Sequence, residues 1–202
     1  MSFKIRLVQE SDASAIAEIY RPYVEQTSIS FEYEAPSPTE ILQRIQNITT
    51  EYPWLVCLNG NTIIGYAYAG THRHRTAYQW SVESAIYFSQ EFHSKGLAPI
   101  LYKTLFSLLQ NQGFHTVLAG ITTPNDKSVH FHQKMGFTHL GTYTNIGFKF
   151  GKWHDTQWYQ RPLNDYTTEP STPKKFPEIV NTEEVQEIIQ QANRELEGKL
   201  EC

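Results

Sequence analysis

The amino-acid sequence predicts an α/β fold with a mixed, mainly antiparallel central sheet that is flanked by helices. Alternating apolar residues mark short strands along most of the chain, and apolar residues at helical spacing mark the segments between them. A tight hairpin signal joins two of the strands, which favours antiparallel pairing. The predicted order is β-α-α-β-β-β-α-β-α-β-β, which gives one sheet with helices packed against it.

The first half of the chain contains two predicted helices and four predicted strands. Ser11 and Asp12 offer an N-cap for the first helix. The second helix begins with a capping box at residues 37–40, Ser-Pro-Thr-Glu, with proline at its first position. Residues 59–61, Asn-Gly-Asn, predict the hairpin turn. The strands are predicted at residues 3–8, 54–58, 62–69 and 80–88.

The second half continues with a long leucine-rich helix that ends at Gly113. A strand at 116–121, a helix at 126–135 and two strands within 141–161 follow, so residues 1–163 are predicted to form one domain. Residues 164–177 have the Pro, Thr and Ser content of a linker. An amphipathic helix is then predicted at 181–200. It has too little apolar surface to fold alone, so it docks on its own body, docks on a partner or stays partly disordered.

Composition narrows the function classes. Of 202 residues, 40% are hydrophobic and 13% are aromatic, which is enough for a packed core. The formal net charge is −4, and the chain from residue 164 onward holds nine acidic and four basic side chains. The body is therefore nearly neutral. Because it carries no basic stripe, no nucleic-acid partner is expected.

The cysteines and the apolar runs indicate the compartment. Two cysteines, Cys57 and Cys202, do not make a disulfide framework, and Cys57 lies in an apolar run typical of a buried strand. The first ten residues mix charged and apolar side chains, unlike a signal peptide. No apolar run approaches the roughly 18 residues of a membrane span. We therefore expect a cytoplasmic protein without a membrane partner.

The most informative stretch joins a strand to the long helix at residues 93–98, His-Ser-Lys-Gly-Leu-Ala. The first backbone N–H groups of a helix have no intrahelical partner, and the helix dipole makes that end positive, so a phosphate placed there receives several hydrogen bonds. Gly96 lets the backbone approach such a ligand, and Ala98 leaves room beside it. By itself, a glycine before a helix more often marks a turn than a phosphate site.

Residues 93–98 resemble the coenzyme A pyrophosphate loop of the GNAT acyltransferase superfamily, Gln/Arg-x-x-Gly-x-Gly/Ala, from which only His93 departs. Residues 125–137 resemble the closing motif of that family, a helix followed by Gly-Phe. The resemblance implies the GNAT fold and acetyl-CoA as cosubstrate, with Asn125 on the pantetheine arm. The residues that it implies for acetyl-CoA binding are Ile86, Tyr87, Phe88, His93, Ser94, Lys95, Gly96, Leu97, Ala98 and Asn125.

Longer stretches resemble one branch of the superfamily, the phosphinothricin N-acetyltransferases. They are residues 52–56, 65–70, 75–84 and 151–155, and the similarity extends from about residue 5 to residue 160. This resemblance implies that Glu83 acts as the base and His132 as its partner, where many relatives carry a tyrosine that protonates the leaving thiolate. It also implies that Arg73, Arg75 and Tyr78 surround the anionic groups of the substrate.

These residue types suit acetyl transfer to an amine. An α-ammonium group must lose a proton before it attacks a thioester, and a positioned carboxylate can accept that proton. Two guanidinium groups suit a carboxylate or a phosphinate. Alternatives without function are an exposed strand glutamate for Glu83, a helix-surface histidine for His132 and a solvated loop for residues 72–75. His130 and His132 point to different faces of a helix, so no metal is expected.

Three functions remain open at this stage. The first is N-acetylation of phosphinothricin or a similar small amino acid by direct transfer, without an acyl-enzyme. The second keeps this chemistry but acts on methionine sulfone, methionine sulfoximine or another small amine, because specificity depends on a few loop residues. The third is a non-catalytic acyl-CoA-binding module. The aromatic-rich C-terminal strands could also form a homodimer interface.

Overall fold

The computed structural model describes residues 2–198, in which seven strands form one mixed sheet. The sheet order is β1-β2-β3-β4-β5-β7-β6, and all neighbours are antiparallel except the parallel pair β4–β5. The predicted fold class is therefore confirmed. The strands are β1 Phe3–Leu7, β2 Trp54–Asn59, β3 Thr62–Thr71, β4 Ser81–Phe88, β5 Thr116–Thr122, β6 Thr138–Lys149 and β7 Lys152–Pro162.

Six α-helices within residues 2–198 cover the two faces of the sheet. They are α1 Ala13–Glu25, α2 Pro38–Thr49, α3 Leu97–Gln112, α4 Asp126–Lys134, α5 Phe176–Ile179 and α6 Glu183–Gly198. The helices α1 and α2 form one core with alternate residues of β2, while α3 and α6 form a second core with the others. Within residues 2–198, no helix is both long enough and apolar enough to cross a membrane.

The helix ends show which local predictions hold. The capping box is confirmed, because Ser37 Oγ accepts from the Glu40 N–H at 3.2 Å and the Glu40 carboxylate accepts from the Ser37 N–H at 2.7 Å. Asp12 occupies the predicted N-cap position of α1, but its side chain does not cap that helix. Its carboxylate accepts instead from Arg6 at 2.7 and 2.8 Å and from the Gln9 N–H at 2.7 Å. A guanidinium that donates two hydrogen bonds binds a carboxylate more strongly than a single helix N–H group does.

The sheet is split between β4 and β5. The two strands pair only over Ser81–Glu83 and Thr116–Leu118, after which β4 continues to Phe88 while residues 119–122 of β5 pair with β7. A wedge therefore opens along the second half of β4. Because side chains alternate along a strand, Val82 and Ser84 face α3, whereas Glu83 faces the side of α1 and α2.

The tail helix docks on its own body, which is the first of the three alternatives that the sequence left open for residues 181–200. Val185, Ala192 and Leu196 are buried against α3 and β1. The side chain of Asn193 accepts from the N–H of Ile5 at 2.7 Å and donates to its carbonyl at 3.0 Å, which covers the outer edge of β1. Phe176, at the end of the predicted linker, is also buried. The last two residues of the predicted tail helix lie outside the described residues.

Docking of the tail predicts a large cost for truncating its apolar face. Leu196 is 0% exposed, so Leu196→Ala should lower the free energy of unfolding by about 2–5 kcal/mol through lost burial and a residual cavity. Glu195→Ala on the exposed face of the same helix is the control and should change it by less than about 0.5 kcal/mol. Urea unfolding measures both. Equal small effects would contradict the docked arrangement.

Candidate active site

Glu83 forms a hydrogen-bonded pair with a histidine at the start of the wedge. Its Oε1 lies 2.8 Å from Nδ1 of His72, which directly follows β3. The register brings them together, because Gly70 pairs with Glu83 and the chain then turns His72 over the carboxylate. The Glu83 side chain is 40% exposed and that of His72 is 14% exposed. The carboxylate is therefore oriented by a partner and still open to a ligand.

Two aromatic rings enclose His72. Tyr78 lies edge-on with ring centroids 5.9 Å apart, and Trp158 of β7 does so at 6.1 Å. The indole packs over Gly120, where a Cβ would lie 3.4 Å from the ring, in ordinary van der Waals contact. Trp158 Nε1 is buried and has no hydrogen-bond partner among residues 2–198. A buried donor of this kind is suited to an acceptor atom of a ligand.

The structure places the predicted substrate residues at two different locations. Tyr78 lies beside the Glu83–His72 pair, and the Arg73 guanidinium lies over the Tyr78 ring at 5.9 Å. Arg75 and Arg73 line a cleft against residues 172–175 of the tail. Thr71 of this cleft pairs with Val82, so it lies on the α3 face, opposite Glu83.

His132 belongs to a buried polar chain on that α3 face. It is 6% exposed, so the helix-surface alternative is wrong. Its Nδ1 lies 2.8 Å from the Ser128 carbonyl, which fixes the proton there and leaves Nε2 as an acceptor. The Tyr102 hydroxyl lies 3.2 Å from that Nε2 and 2.6 Å from Ser84 Oγ. Burial lowers the pKa of His132, against the opposing effect of the Ser128 carbonyl, so the ring is neutral at pH 7.

Tyr102 is the site residue that the sequence prediction missed. Through Ser84, it reaches the point where β4 and β5 separate, because Ser84 Oγ also donates to the Leu118 carbonyl at 3.2 Å. Burial raises the pKa of Tyr102, so its hydroxyl keeps its proton. The available signal was a tyrosine within the leucine face of α3, since a buried tyrosine hydroxyl needs a partner.

The predicted phosphate cradle has the expected backbone shape. Ser94 and Gly96 adopt positive φ angles of 60° and 73°, and α3 begins at the next residue. Such a turn before a helix directs successive amides toward one point, as in known anion-binding concavities. The His93 ring turns toward the body, with Nε2 3.0 Å from the Phe88 carbonyl and 2.8 Å from the Tyr23 hydroxyl. These two contacts hold the His93 ring against the body of the domain.

The other predicted cofactor residues lie along the wedge. Ile86, Tyr87 and Phe88 are on the part of β4 beyond its pairing with β5, and the Tyr87 ring is held among other tyrosines. Their backbone, rather than the Tyr87 side chain, faces the open edge. Asn125 caps α4, where its Oδ1 accepts from the Ser128 N–H at 3.2 Å. Its side-chain NH₂ group is the part that can donate to a ligand.

A buried lysine fixes the segment between α1 and α2 against the β6–β7 hairpin. Lys149 is 2% exposed, and its Nζ donates to the carbonyls of Val24 at 2.5 Å and Ser30 at 2.7 Å. Phe31 occupies the space above Gly147, where a Cβ would lie 2.3 Å from its ring. Desolvation lowers the pKa of Lys149, against the opposing charge of Glu32. These contacts build one wall beside the face that carries Glu83, and no sequence motif indicated them.

The fold agrees with the comparisons with known proteins. Residues 5–158 match the family model of the acetyltransferase (GNAT) domain, so the chain belongs to the GNAT acetyltransferase family. Among residues 2–198, no group of three His, Cys, Asp or Glu side chains forms a potential metal site.

Three known proteins show which GNAT acetyltransferases this chain is similar to. The phosphinothricin N-acetyltransferase of Streptomyces viridochromogenes is 37% identical over 158 residues, which are 78% of this chain and 86% of the relative. The L-methionine sulfoximine/L-methionine sulfone acetyltransferase of Salmonella typhimurium is 29% identical over 80% of this chain and 95% of its own. A phosphinothricin acetyltransferase from Sinorhizobium meliloti, solved with AcCoA, is 36% identical with a TM-score of 0.81, over 89% of this chain and 98% of that one.

The buried chain of hydroxyls predicts a specific effect of Tyr102→Phe. The ring stays but His132 Nε2 loses its partner, so the free energy of unfolding should fall by about 1–3 kcal/mol. Tyr166→Phe is the matched control, because it removes an exposed hydroxyl that lies 3.0 Å from Thr116, and it should cost less than about 0.5 kcal/mol. Equilibrium unfolding measures both. Equal losses in the free energy of unfolding would show that the buried hydrogen bond stabilises the fold no more than the exposed one.

Proposed function

We propose that this protein acetylates the primary amine of a small amino-acid-like acceptor, such as phosphinothricin, in the cytoplasm, where acetyl-CoA is available. Family membership and the relatives make the chain an acetyl-CoA-dependent N-acetyltransferase. The observation that carries the proposal is the wedge in the sheet. It has an anion cradle at residues 93–98 near one end and the Glu83–His72 pair near the other.

Acetyl-CoA is proposed to lie in this wedge. Its pyrophosphate would bind the turn at residues 93–98, where the amides at the start of α3 and the helix dipole favour an anion. Ser94, Lys95, Gly96, Leu97 and Ala98 contribute through their backbone. The pantetheine arm would then follow residues 86–88 of β4, whose open edge can bind an amide as a further strand would. The NH₂ group of Asn125 adds a donor from α4.

Glu83 is proposed as the base that removes the proton from the acceptor ammonium. It is open to solvent, and His72 orients its carboxylate. The free amine then attacks the thioester carbonyl, while donors from the backbone or Tyr78 stabilise the oxyanion. An acyl-cysteine is not expected at Cys57, because it is fully buried and burial raises the pKa of its thiol to about 12. Cys202 lies outside the described residues.

His132 is proposed to act through hydroxyl groups rather than by touching the sulfur. Its Nδ1 proton is committed to Ser128, and its Nε2 faces the hydroxyl of Tyr102. Tyr102 and Ser84 therefore hold hydroxyl protons beside the wedge, on the face opposite Glu83. In this arrangement the base and the groups that serve the leaving thiolate lie on opposite sides of one strand.

The acceptor is proposed to place its anionic group against the loop between β3 and β4. Tyr78 is beside the catalytic pair, Arg73 lies over its ring, and Arg75 adds positive charge from the same loop. Relatives named for phosphinothricin and for methionine sulfoximine and methionine sulfone support an amino acid with a tetrahedral polar end.

A thiol-release assay with acetyl-CoA tests the acceptor. Saturable turnover with phosphinothricin is expected, and methionine sulfone, methionine sulfoximine and ordinary amino acids are compared in parallel. Activity with another amine alone would retain the chemistry and remove the phosphinothricin assignment. Acetyl-CoA binding without thiol release from any amine would support a non-catalytic module.

Glu83→Gln should lower kcat about 10²- to 10⁴-fold, because the amide cannot accept the proton, and should leave the Kd for acetyl-CoA unchanged. Glu178→Gln removes an exposed carboxylate on α5 and is the control with unchanged turnover. Steady-state kinetics and calorimetric binding of acetyl-CoA separate the two quantities. A parallel loss of turnover and acetyl-CoA affinity would rule out a role as the base.

We also propose a homodimer through the β6–β7 hairpin. This hairpin carries six large apolar side chains that are each 46–60% exposed: Leu140, Tyr143, Ile146, Phe148, Phe150 and Trp153. Exposed apolar groups concentrated on one element are typical of an interface between proteins. The hairpin also forms the outer edge of the sheet, since β6 is the last strand in its order.

The dimer is tested by placing charge on this surface. Phe150→Glu with Trp153→Glu should convert the dimer to a monomer in light scattering coupled to gel filtration, because the charges would be desolvated at the interface. Tyr166→Glu, which changes a 69% exposed side chain outside the hairpin, is the control. A monomeric wild type would exclude the proposed dimer.

A further inference from the structure

A second concave site lies between the β3–β4 loop and the tail. It is a cleft of about 320 Å³ whose walls are residues 71, 73–76 and 79 on one side and 172–175 on the other. Its remaining lining includes the aromatic rings of Tyr52 and Phe114. The cleft is thus large enough for a small organic molecule, and part of its lining is apolar.

The lining has a strong excess of positive charge. Arg73, Arg75, Lys174 and Lys175 all line the cleft, against the one carboxylate of Glu51. Glu51 lies 3.3 Å from the ammonium of Lys175. None of the other three cations has an ion-pair partner among residues 2–198. Unpaired cations that converge on one concave surface create a potential that attracts an anion.

Hydrogen bonds hold the tail wall in place. Gln112, which is 2% exposed, donates to the carbonyls of Lys174 at 2.8 Å and Glu51 at 2.9 Å, and its own carbonyl accepts from the Lys174 N–H at 2.8 Å. The indole of Trp80 donates to the Ser171 carbonyl at 2.8 Å. The lysine ammonium groups take no part in these bonds, so the wall keeps its position without them.

The cleft shares Arg73 and Arg75 of the β3–β4 loop with the proposed acceptor site, but its other wall lies on a different face of the sheet and comes from the tail. Thr71 places it on the α3 face, whereas Glu83 faces the opposite side. The family match ends at residue 158, so the tail wall lies outside the matched domain. We propose that this cleft binds a small organic anion with at least two carboxylate or phosphate groups, whose apolar part rests on Tyr52 and Phe114.

Occupation of the cleft would act on the active site through the shared loop. Residues 72 and 78 of this loop contact each other beside Glu83, while residues 73–76 line the cleft. An anion held between Arg75 and the tail lysines ties this loop to the tail. The proposed ligand is therefore an effector that changes acceptor KM, a consequence that rests on the proposed function, whereas binding of the anion does not.

Calorimetric titration of the full-length protein with citrate or inorganic pyrophosphate tests the site at fixed ionic strength. Neither acetyl-CoA nor an acceptor is present, so the result does not depend on the proposed function. The test variant is Lys174→Gln with Lys175→Gln, and the charge-matched control is Lys4→Gln with Lys103→Gln on exposed positions of β1 and α3. The test variant should raise the Kd of the tighter-binding anion about tenfold, and the control should raise it less than about twofold.

The identity of the tighter probe distinguishes a carboxylate ligand from a phosphate ligand. Saturating acetyl-CoA should leave this binding in place, since the coenzyme is expected at residues 93–98. The proposal is overturned if neither anion binds, if both double variants weaken binding equally, or if acetyl-CoA abolishes it. Unchanged unfolding midpoints for both variants would confirm that the fold is intact.

Discussion

The short pairing between β4 and β5 is the constraint on which the rest of the site depends. A parallel pair that covers only three residues on each strand leaves backbone groups of β4 facing open space. In a packed sheet such groups would bind a neighbouring strand, because unpaired polar backbone is costly to bury. Here β5 instead pairs with β7, so among residues 2–198 the second half of β4 has no strand partner on this side.

Strand alternation then divides the chemistry between two faces. Glu83 and Ser84 are neighbours in the chain but point to opposite sides of the sheet. One side is solvated and carries the carboxylate with His72, while the other is buried and carries hydroxyls with a neutral histidine. On the buried side, desolvation disfavours charge and lowers the pKa of His132.

The tail contributes to the same core as the strands. Its apolar face covers α3, and Asn193 satisfies the outer edge of β1, which would otherwise offer unpaired groups to another chain. The segment before it forms a fixed wall against the β3–β4 loop. Tail and loop are consequently linked in space although about 100 residues separate them in sequence.

The sequence by itself determined what depends on local patterns. Apolar periodicity predicted the elements and their order, the capping box at residues 37–40 and Gly113 predicted helix ends, and the glycine-containing segment at 93–98 predicted the turn before α3. The tertiary structure decided the contacts between distant segments. Glu83 meets His72, His132 meets Tyr102, Asp12 binds Arg6 instead of capping a helix, and Arg75 faces the tail. Such contacts depend on strand register and helix packing, which no local pattern encodes.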